Sequence, residues 1–483
     1  MKKIIFRADG NSETGLGHLY RIFALIEIYK TDFDYVLLTK ENTTSSAIPP
    51  EYKYHLIPDA ISVLDEPAWL NTHYPANTHM VIADGYQFNS TYQRSLKEYK
   101  YTLIYIDDQV KEKMYADVVV NHALSVKPSE YKAEPYTRFA LGTSYAILRP
   151  LFLEAAKQPR EIKQINTAFV CFGGADPCDL TLKATQALIN NKAIKKINVV
   201  IGAAYKHNGI KELENKNSHL NIFQNLSESE LIKVMEQSDF AIAPASTILY
   251  ELCCIKILVL SGYYVENQKN IYKGCLENGC ILGGGNFENY SVDDFEQQIK
   301  KILLQTDYQK YISAQSKLFD SQIKNRFLNL ICQTSYRKAN ESDMLLLYNW
   351  SNEKVTRANS YHSEPIAFET HKNWYERKLK DKQTLIYIAE VNNKPAGTVR
   401  YEIGDESTVV GIIVSEEFRG RGLASMFLSD TAGLYFKEQH LPICAYIKIE
   451  NESSKRSFEK ANYKFVKEER VHDTMSYVYK LEK

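Results

Sequence analysis

The 483 residues contain no uninterrupted apolar run approaching the roughly 20 residues that a membrane-crossing helix needs, so no membrane partner is expected. Charge of one sign is lacking too. The 59 Lys and Arg are matched by 59 Asp and Glu, and a chain without a net field is not drawn to nucleic acid or an anionic surface. The eight cysteines (Cys171, Cys178, Cys253, Cys254, Cys275, Cys280, Cys332 and Cys444) include no CxxC pair and no Cys/His cluster with zinc spacing. Buried free thiols in a reducing compartment account for them, and no metal is expected. The opening MKKIIFRADG places only three apolar residues before Arg7, too few for a secretion signal, so the expected location is the cytoplasm. No feature specifies an oligomeric state.

What is present is enough apolar sequence for real cores, 44% of residues, in a chain long enough for two or three domains. The organising stretch is residues 3–30. Ile4, Ile5 and Phe6 read as a buried first strand, followed by a polar loop that closes on Gly15-Leu16-Gly17-His18. Leu19, Ile22, Phe23 and Ile26 then recur at helical spacing, which sets His18 where loop becomes helix. Glycines let backbone approach a ligand closely, and the first helical turn offers unpaired N–H groups with partial positive charge. A single GxG turn with one histidine is by itself a common structural feature.

Strand-like runs follow at 35–38, 79–84, 101–107 and 116–120, separated by helical or loop segments, which argues for a parallel sheet covered on both faces. Several end in polar residues at the edge where such sheets bind ligands: Asp84, Asp107-Asp108 and Asn121. Residues 156–164, AKQPREIKQ, form a polar stretch without apolar period and read as a linker. A second α/β series begins at FVCF (169–172), where Gly173-Gly174-Ala175-Asp176-Pro177 is expected to open a helix. KINVVIG, HLNIF and DFAIA supply further strands, and ELIKVMEQ (230–237) a helix. After a helical SVDDFEQQIKKILL (291–304), a polar segment is expected to pack back on the first half.

Near Gln333 the character changes. Between Ser407 and Ala424 a β-branched strand runs into Arg419-Gly420-Arg421-Gly422-Leu423-Ala424 and then an amphipathic helix. Asn451-Glu452-Ser453-Ser454 follows the strand YIKI. Glycines at that spacing free the backbone just ahead of a helix N-terminus.

RADG…TGLGHLYR resembles the N-terminal motif of a nucleotide-sugar hydrolase family of pseudaminic acid biosynthesis, related to GT-B glycosyltransferases. The Asp84, Asp107-Asp108, Asn121 and Ser144–Arg149 stations match the same family. The resemblance implies that His18, after the GxG and before Arg21, takes a proton from water, with Asp9, Asp107 or Asp108 orienting it. Gly15, Gly17, Arg21, Asp84, Asn121, Tyr145 and Arg149 would contact substrate, although Tyr145 and Arg149 would serve equally to tie the halves together. Gly173-Gly174 would lie beneath a diphosphate, Ser246-Thr247 would lead a phosphate-holding helix, and Glu251 would accept ribose hydroxyls. Asn267 and Gln268 would face the sugar. The implied reaction is inverting release of UDP from a UDP-linked 2,4-diacetamido-2,4,6-trideoxyaltrose.

The R-x-x-G-x-A loop is similar to that of GNAT acyltransferases and implies acetyl coenzyme A as co-substrate. In that likeness Arg419, Gly420, Arg421, Gly422, Leu423 and Ala424 cradle the pyrophosphate, while Ile413, Val414 and Asn451 meet the pantetheine arm. Many members carry a tyrosine seven residues after that asparagine; here the position is Phe458. Tyr463 sits at a packing position, and Glu364, Glu390 and His362 are candidate bases. Trp350–Glu353 and Asn359-Ser360 resemble acetyltransferases that modify the 4-amino group of a UDP-amino sugar. The expected fold class is therefore α/β, a GT-B-like pair of Rossmann-type domains (1–155 and 156–332) followed by a GNAT α+β domain (333–483). Three other assignments keep these motifs: a glycosyltransferase, a silent UDP-sugar-binding half, and acetylation of a protein N-terminus.

Overall fold

Short β-branched runs that are apolar on both faces dominate the first third of the chain, and they assemble as such runs must, in the middle of a covered parallel sheet. The computed structural model describes residues 2–11, 15–174, 176–202 and 204–483. Among them the first sheet contains β1 (Lys3–Arg7), β2 (Tyr35–Lys40), β3 (Tyr54–Ile57), β4 (His79–Asp84), β5 (Leu103–Ile106), β6 (Val118–Asn121) and β7 (Arg138–Leu141). Their order is β3-β2-β1-β4-β5-β6-β7, parallel throughout. The first helix, Gly17–Tyr29, buries Leu19, Ile22, Phe23 and Ile26 as the spacing predicts. Strands β3 and β7 are additional to the four runs expected after β1. Both are short edge strands, and β3 buries only Ile57, so neither shows an apolar signature.

The second sheet holds β8 (Thr167–Val170), β9 (Lys196–Ile201), β10 (Leu220–Gln224), β11 (Phe240–Pro244), β12 (Leu258–Tyr263) and β13 (Leu282–Asn286). It is also parallel, in the order β10-β9-β8-β11-β12-β13. The helix expected to open at Gly173–Pro177 begins later, at Leu180. Asp179 takes a left-handed backbone (φ 48°), and the Asp176 carboxylate caps the delayed start by accepting from Leu180 N at 3.0 Å and Thr181 N at 2.7 Å. Ala175 lies outside the described residues. Residues 159–166 carry no helix or strand, but Ile162 and Ile165 are buried in the core of the second sheet's layer, so the stretch expected as a linker at 156–164 is packed against it.

The two parallel sheets belong to one compact unit that ends between Phe327 and Leu328, inside the helix Ile323–Ile331. The chain does return to the first sheet's layer. Tyr29 Oη donates to Phe327 O at 2.6 Å, and the Tyr145 and Phe327 rings meet edge-on at 5.8 Å. A second tie runs from the helix Lys269–Glu277, where Ser125 Oγ donates to Asn270 O at 3.0 Å.

The second unit folds around β14 (Thr334–Lys338), β15 (Thr384–Val391), β16 (Lys394–Ile403), β17 (Thr408–Val414), β18 (Ile443–Lys448), β19 (Lys464–Val471) and β20 (Thr474–Leu481). The order is β14-β15-β16-β17-β18-β20-β19, antiparallel except where β17 meets β18. The helix Leu423–Glu438 covers one face with Phe427, Leu428, Ala432 and Tyr435 at helical spacing. Two parallel Rossmann-type sheets followed by an α+β domain are the class expected from the sequence.

Gly274 is the closest point of the tie between the two parallel-sheet layers. A Cβ there would stand 2.5 Å from Leu124 Cβ and 2.8 Å from Ser125 N. Gly274→Ala is therefore expected to lower unfolding stability by about 1–3 kcal/mol, as overpacking does. Urea titration of the full chain checks this, and an unchanged midpoint would mean that the layers separate without cost.

Candidate active sites

Because β1, β4, β5 and β6 are neighbours, their C-terminal ends collect Asp84, Asp107-Asp108 and Asn121 along one edge of the first sheet, beside the start of the helix that carries His18 and Arg21. His18 and Arg21, three residues apart, share a helix face. Arg21 makes a bidentate contact with Asp84, Nε to Oδ2 and Nη2 to Oδ1, both at 2.7 Å, and its Nη1 donates to Asp108 Oδ2 at 2.9 Å. His18 Nδ1 lies 2.7 Å from Asp84 Oδ1 and 2.8 Å from Arg21 Nη2.

Of those two contacts, the one to the Asp84 carboxylate calls for a proton on Nδ1, and the one to Arg21 then sets two donors side by side. Arg21 has only donors to offer, and an ionised carboxylate only acceptors. A bare Nδ1 would press its lone pair on the carboxylate, whereas Nδ1–H donates to Asp84 alongside the arginine. Burial alone would raise the Asp84 carboxyl, but the Arg21 charge and the hydrogen bonds from His18 and Arg21 hold it below its ordinary value. The ionised form is therefore the one present, and it accepts from Nδ1–H, which leaves Nε2 as the ring nitrogen turned away from Asp84. Among the described residues Nε2 has no hydrogen-bond partner. This is the arrangement in which a carboxylate orients an imidazole base.

Tyr86, which no motif singled out, completes the group. Its ring meets His18 edge-on at 4.6 Å, and its hydroxyl donates to Asp108 Oδ2 at 3.2 Å. Asn267 Nδ2 reaches the same hydroxyl at 3.4 Å, joining the Glu266–Gln268 turn of the second sheet to the histidine. Asp108 Oδ1 is buried without a partner among the described residues.

Of the three carboxylates expected to orient His18, none touches its ring; Asp84 does. Asp9 is committed to Arg7, to Lys40 N at 2.8 Å, to Thr39 Oγ1 at 3.1 Å and to Gln87 Nε2 at 3.0 Å. Arg7 in turn is fully buried against Glu66, which also accepts from Tyr92 Oη. Asp107 accepts from Tyr131 Oη at 2.8 Å and Val110 N at 2.9 Å, and burial pushes its carboxyl up. Asn121 donates to the same Tyr131 hydroxyl at 2.9 Å. Gly15 (φ 80°) and Gly17 lead into the helix.

Residues expected from the second layer form a separate group. Glu251, in the helix Thr247–Ile255, is buried, and its Oε1 accepts from Arg149 Nη2 at 2.7 Å. Burial outweighs Arg149 and raises the Glu251 carboxyl. Arg149 thus joins the two layers. Ser246 and Thr247 are half-buried at that helix's start. Gly173 has φ 85°, and Gly174 lies so close to Gly202 that a Cβ on the latter would stand 2.4 Å from Gly174 Cα. Gln268 is buried and accepts from Tyr264 N at 3.0 Å, whereas Asn267 is exposed.

In the second unit β17 and β18 pair only at Thr408–Ile443 and Val409–Cys444 and then part. The gap opens into a cavity of about 910 Å³ whose walls include Ile413, Val414 and Arg419 on one side and Lys448, Asn451 and Phe458 on the other. Gly420 (φ 73°) and Gly422 (φ 75°) shape the loop before the helix Leu423–Glu438, with Leu423 buried and Ala424 half-buried. Backbone geometry and lining fit an extended pantetheine with its pyrophosphate on the loop. Arg419 is held inside the protein: Nε donates to Val414 O at 3.0 Å, Nη2 to Thr356 Oγ1 at 3.0 Å, and the guanidinium pairs with Glu353. That hydrogen bond depresses the Glu353 carboxyl to about 2. Arg421 instead lies 5.0 Å over the Phe418 ring. Asn451 Oδ1 caps the helix Glu452–Lys460 by accepting from Ser454 N at 3.1 Å. His362 lines the cavity, while Glu364 and Glu390 do not. Glu390 is engaged by Arg337 at 2.9 Å, and Tyr463 is buried in the core.

Residues 335–464 match the family model of the acetyltransferase (GNAT) domain. Over 496 residues the chain is 23% identical to an uncharacterized protein of Methanocaldococcus jannaschii, with 98% of each covered. Over 272 residues it is 27% identical to the UDP-2,4-diacetamido-2,4,6-trideoxy-beta-L-altropyranose hydrolase of Campylobacter jejuni, covering 56% of this chain and 94% of that one. A solved aminoglycoside acetyltransferase AAC(6')-Ib, bound to coenzyme A and kanamycin, is 17% identical with a TM-score of 0.28, covering 31% of this chain and 95% of the other. The two-part resemblance drawn from the sequence is met in both parts.

Asp84→Asn removes the charge that balances a buried guanidinium, and its expected cost at neutral pH is about 3–5 kcal/mol. Because the folded carboxyl sits below its ordinary value, this stabilisation is present above about pH 4 and fades as pH falls through the folded value. Urea titrations of both proteins across that range should show the gap closing in acid; a gap that widens would contradict the assignment.

Proposed function

We propose that this chain, a sugar-nucleotide hydrolase joined to a GNAT acetyltransferase, works on one substrate twice. The second unit transfers acetyl from acetyl coenzyme A to the 4-amino group of a UDP-linked amino sugar. The first unit then releases UDP from the resulting 2,4-diacetamido-2,4,6-trideoxy sugar, as in pseudaminic acid biosynthesis. The observation that carries the hydrolytic half is the Asp84-bound His18 with its free Nε2, in a region similar to the C. jejuni hydrolase.

In this scheme His18 Nε2 takes a proton from water as the oxygen attacks C1 of the sugar from the face opposite the diphosphate. The C1–O bond breaks with its electron pair remaining on the diphosphate, and UDP leaves. Asp84 stabilises the imidazolium, and Arg21 keeps Asp84 in place. The Gly173-Gly174 turn and the N–H groups at Ser246-Thr247 hold the diphosphate, the preorganised electrostatic contribution that is usually largest in such sites. Glu251 takes the ribose, with Arg149 holding its carboxyl in place. Tyr86 and Asn267 enclose the sugar, and Asp108 Oδ1, buried and unpaired, accepts from one of its polar groups. In the second unit the loop at 419–424 and the parted ends of β17 and β18 receive the co-substrate. Phe458 stands where many members carry a tyrosine, so water or another side chain protonates the thiolate, or the thiolate leaves unaided.

Incubation with acetyl coenzyme A and the UDP-4-amino sugar, followed by mass spectrometry and NMR, tests both steps. His18→Ala should lower UDP release at least about 100-fold, in the range of a lost general base, while leaving acetylation intact. Release at the wild-type rate would refute the role of His18. Arg421→Glu should raise the KM for acetyl coenzyme A and spare hydrolysis of the pre-acetylated sugar. If it slows both reactions equally, the division of labour is wrong.

A further inference from the structure

The GNAT cavity is wider than an extended pantetheine requires, and its remaining wall is cationic. Strand β16 turns Thr398, Arg400 and Glu402 toward it, alternating with Val399 and Tyr401 in the core. Arg400 lies opposite Gly411 of β17, where the missing side chain leaves room: a Cβ there would stand 3.9 Å from Arg400 Nη2. Its guanidinium stacks on Trp374 at 5.1 Å.

Arg400 shares its carboxylate partner, Glu402, with Lys378. Among the described lining residues Glu402 is the one acid, and it lies 3.7 Å from Arg400 Nη2, beyond hydrogen-bond reach. Lys378 already claims Glu402 at 2.6 Å. Arg400 Nε is buried and unpaired, as is Nε of Arg357 on the same wall, whose Nη1 has only the Glu364 carbonyl at 3.3 Å. Two more polar side chains of the wall, His371 (2% exposed) and Thr398 (6%), are buried without partners. Lys448 adds a further positive charge, and Arg419 is neutralised by Glu353.

A cavity that leaves this many donors unanswered is built for a ligand rich in acceptors and negative charge. We infer that Arg400, with Arg357 beside it, reads a phosphoryl group on the acceptor amine, so that the second unit selects phosphorylated amines over neutral or polycationic ones. Guanidinium forks match phosphate oxygens bidentately, and the Trp374 stack keeps Arg400 aimed while Glu402, held by Lys378, stays beyond hydrogen-bond reach. This rests on the proposed acetylation of a nucleotide-linked amino sugar only for the identity of the phosphoryl group, the diphosphate.

The full-length protein is assayed with acetyl coenzyme A and five acceptors: the UDP-4-amino sugar, the same amino sugar without nucleotide, glucosamine 6-phosphate with glucosamine as its neutral pair, and spermidine. Wild type should prefer the phosphorylated member of each pair at least about tenfold in kcat/KM and leave spermidine untouched. Arg400→Gln should collapse that preference through KM, with the KM for acetyl coenzyme A and the rate on the neutral sugar unchanged; Arg357→Gln should do so more weakly. Equal use of charged and neutral amines by wild type, or acetylation of spermidine, would overturn the inference. So would an Arg400→Gln loss equal for both members of a pair, which marks a packing role. If glucosamine 6-phosphate is preferred while the UDP-sugar is refused, the substrate proposal fails and the inference about Arg400 stands.

Discussion

A guanidinium taken out of water must be answered by charge, and in the first unit Arg21 is answered twice, by Asp84 and by Asp108. That demand organises the site. Asp84 is the last residue of β4 and Asp108 follows β5, so the arginine reaches from its helix across two strand ends and fixes the helix start against the sheet edge. His18, one turn earlier, inherits its orientation from the same carboxylate. The stability of the edge and the chemistry of the imidazole therefore share one interaction. A second buried pair, Arg7 with Glu66, does the same for Asp9, without touching the histidine.

The two units meet the cost of buried charge in opposite ways. Around His18 every cation is matched, and the unsatisfied atom is a carboxylate oxygen, Asp108 Oδ1. In the GNAT cavity the unsatisfied atoms include guanidinium nitrogens. The first arrangement offers acceptors for the N–H and O–H groups of a sugar; the second offers donors for an anion. Between the layers of the first unit, Arg149 and Glu251 form a tie in which burial has pushed the carboxyl up despite its partner. A nucleotide proposed to bind there would meet a carboxylate already half committed, and that pair is where binding and the approach of the two layers become one event.

Much of this was legible in the sequence. The apolar runs of the parallel sheets, the helix that buries Leu19 to Ile26, and the glycine loop before Leu423 follow from periodicity and from residues that only certain backbones accept. So did the polar stations at the strand ends. What stayed hidden depends on partners distant in sequence. Asp84 orients His18 across 66 positions, and nothing local distinguishes it from Asp9 or Asp107, which spend themselves on Arg7 and Tyr131. Tyr86 lies in an ordinary turn. Arg400 and Thr398 had a faint signal, the alternation of polar and apolar residues along β16, but alternation alone does not say that the polar face meets a cavity instead of solvent. The late start of the Leu180 helix turns on two left-handed aspartates, Asp176 and Asp179.

All of the chemistry assigned to the first unit needs the His18 proton on Nδ1 and the lone pair on Nε2. Nitrogen-15 NMR of histidine-labelled protein, with the His18 resonances identified by their loss in a substituted protein, reads that directly. A protonated Nδ1 coupled with a bare Nε2 at the pH of activity is the predicted pattern. A proton resident on Nε2, with Nδ1 accepting from Arg21, would contradict the account.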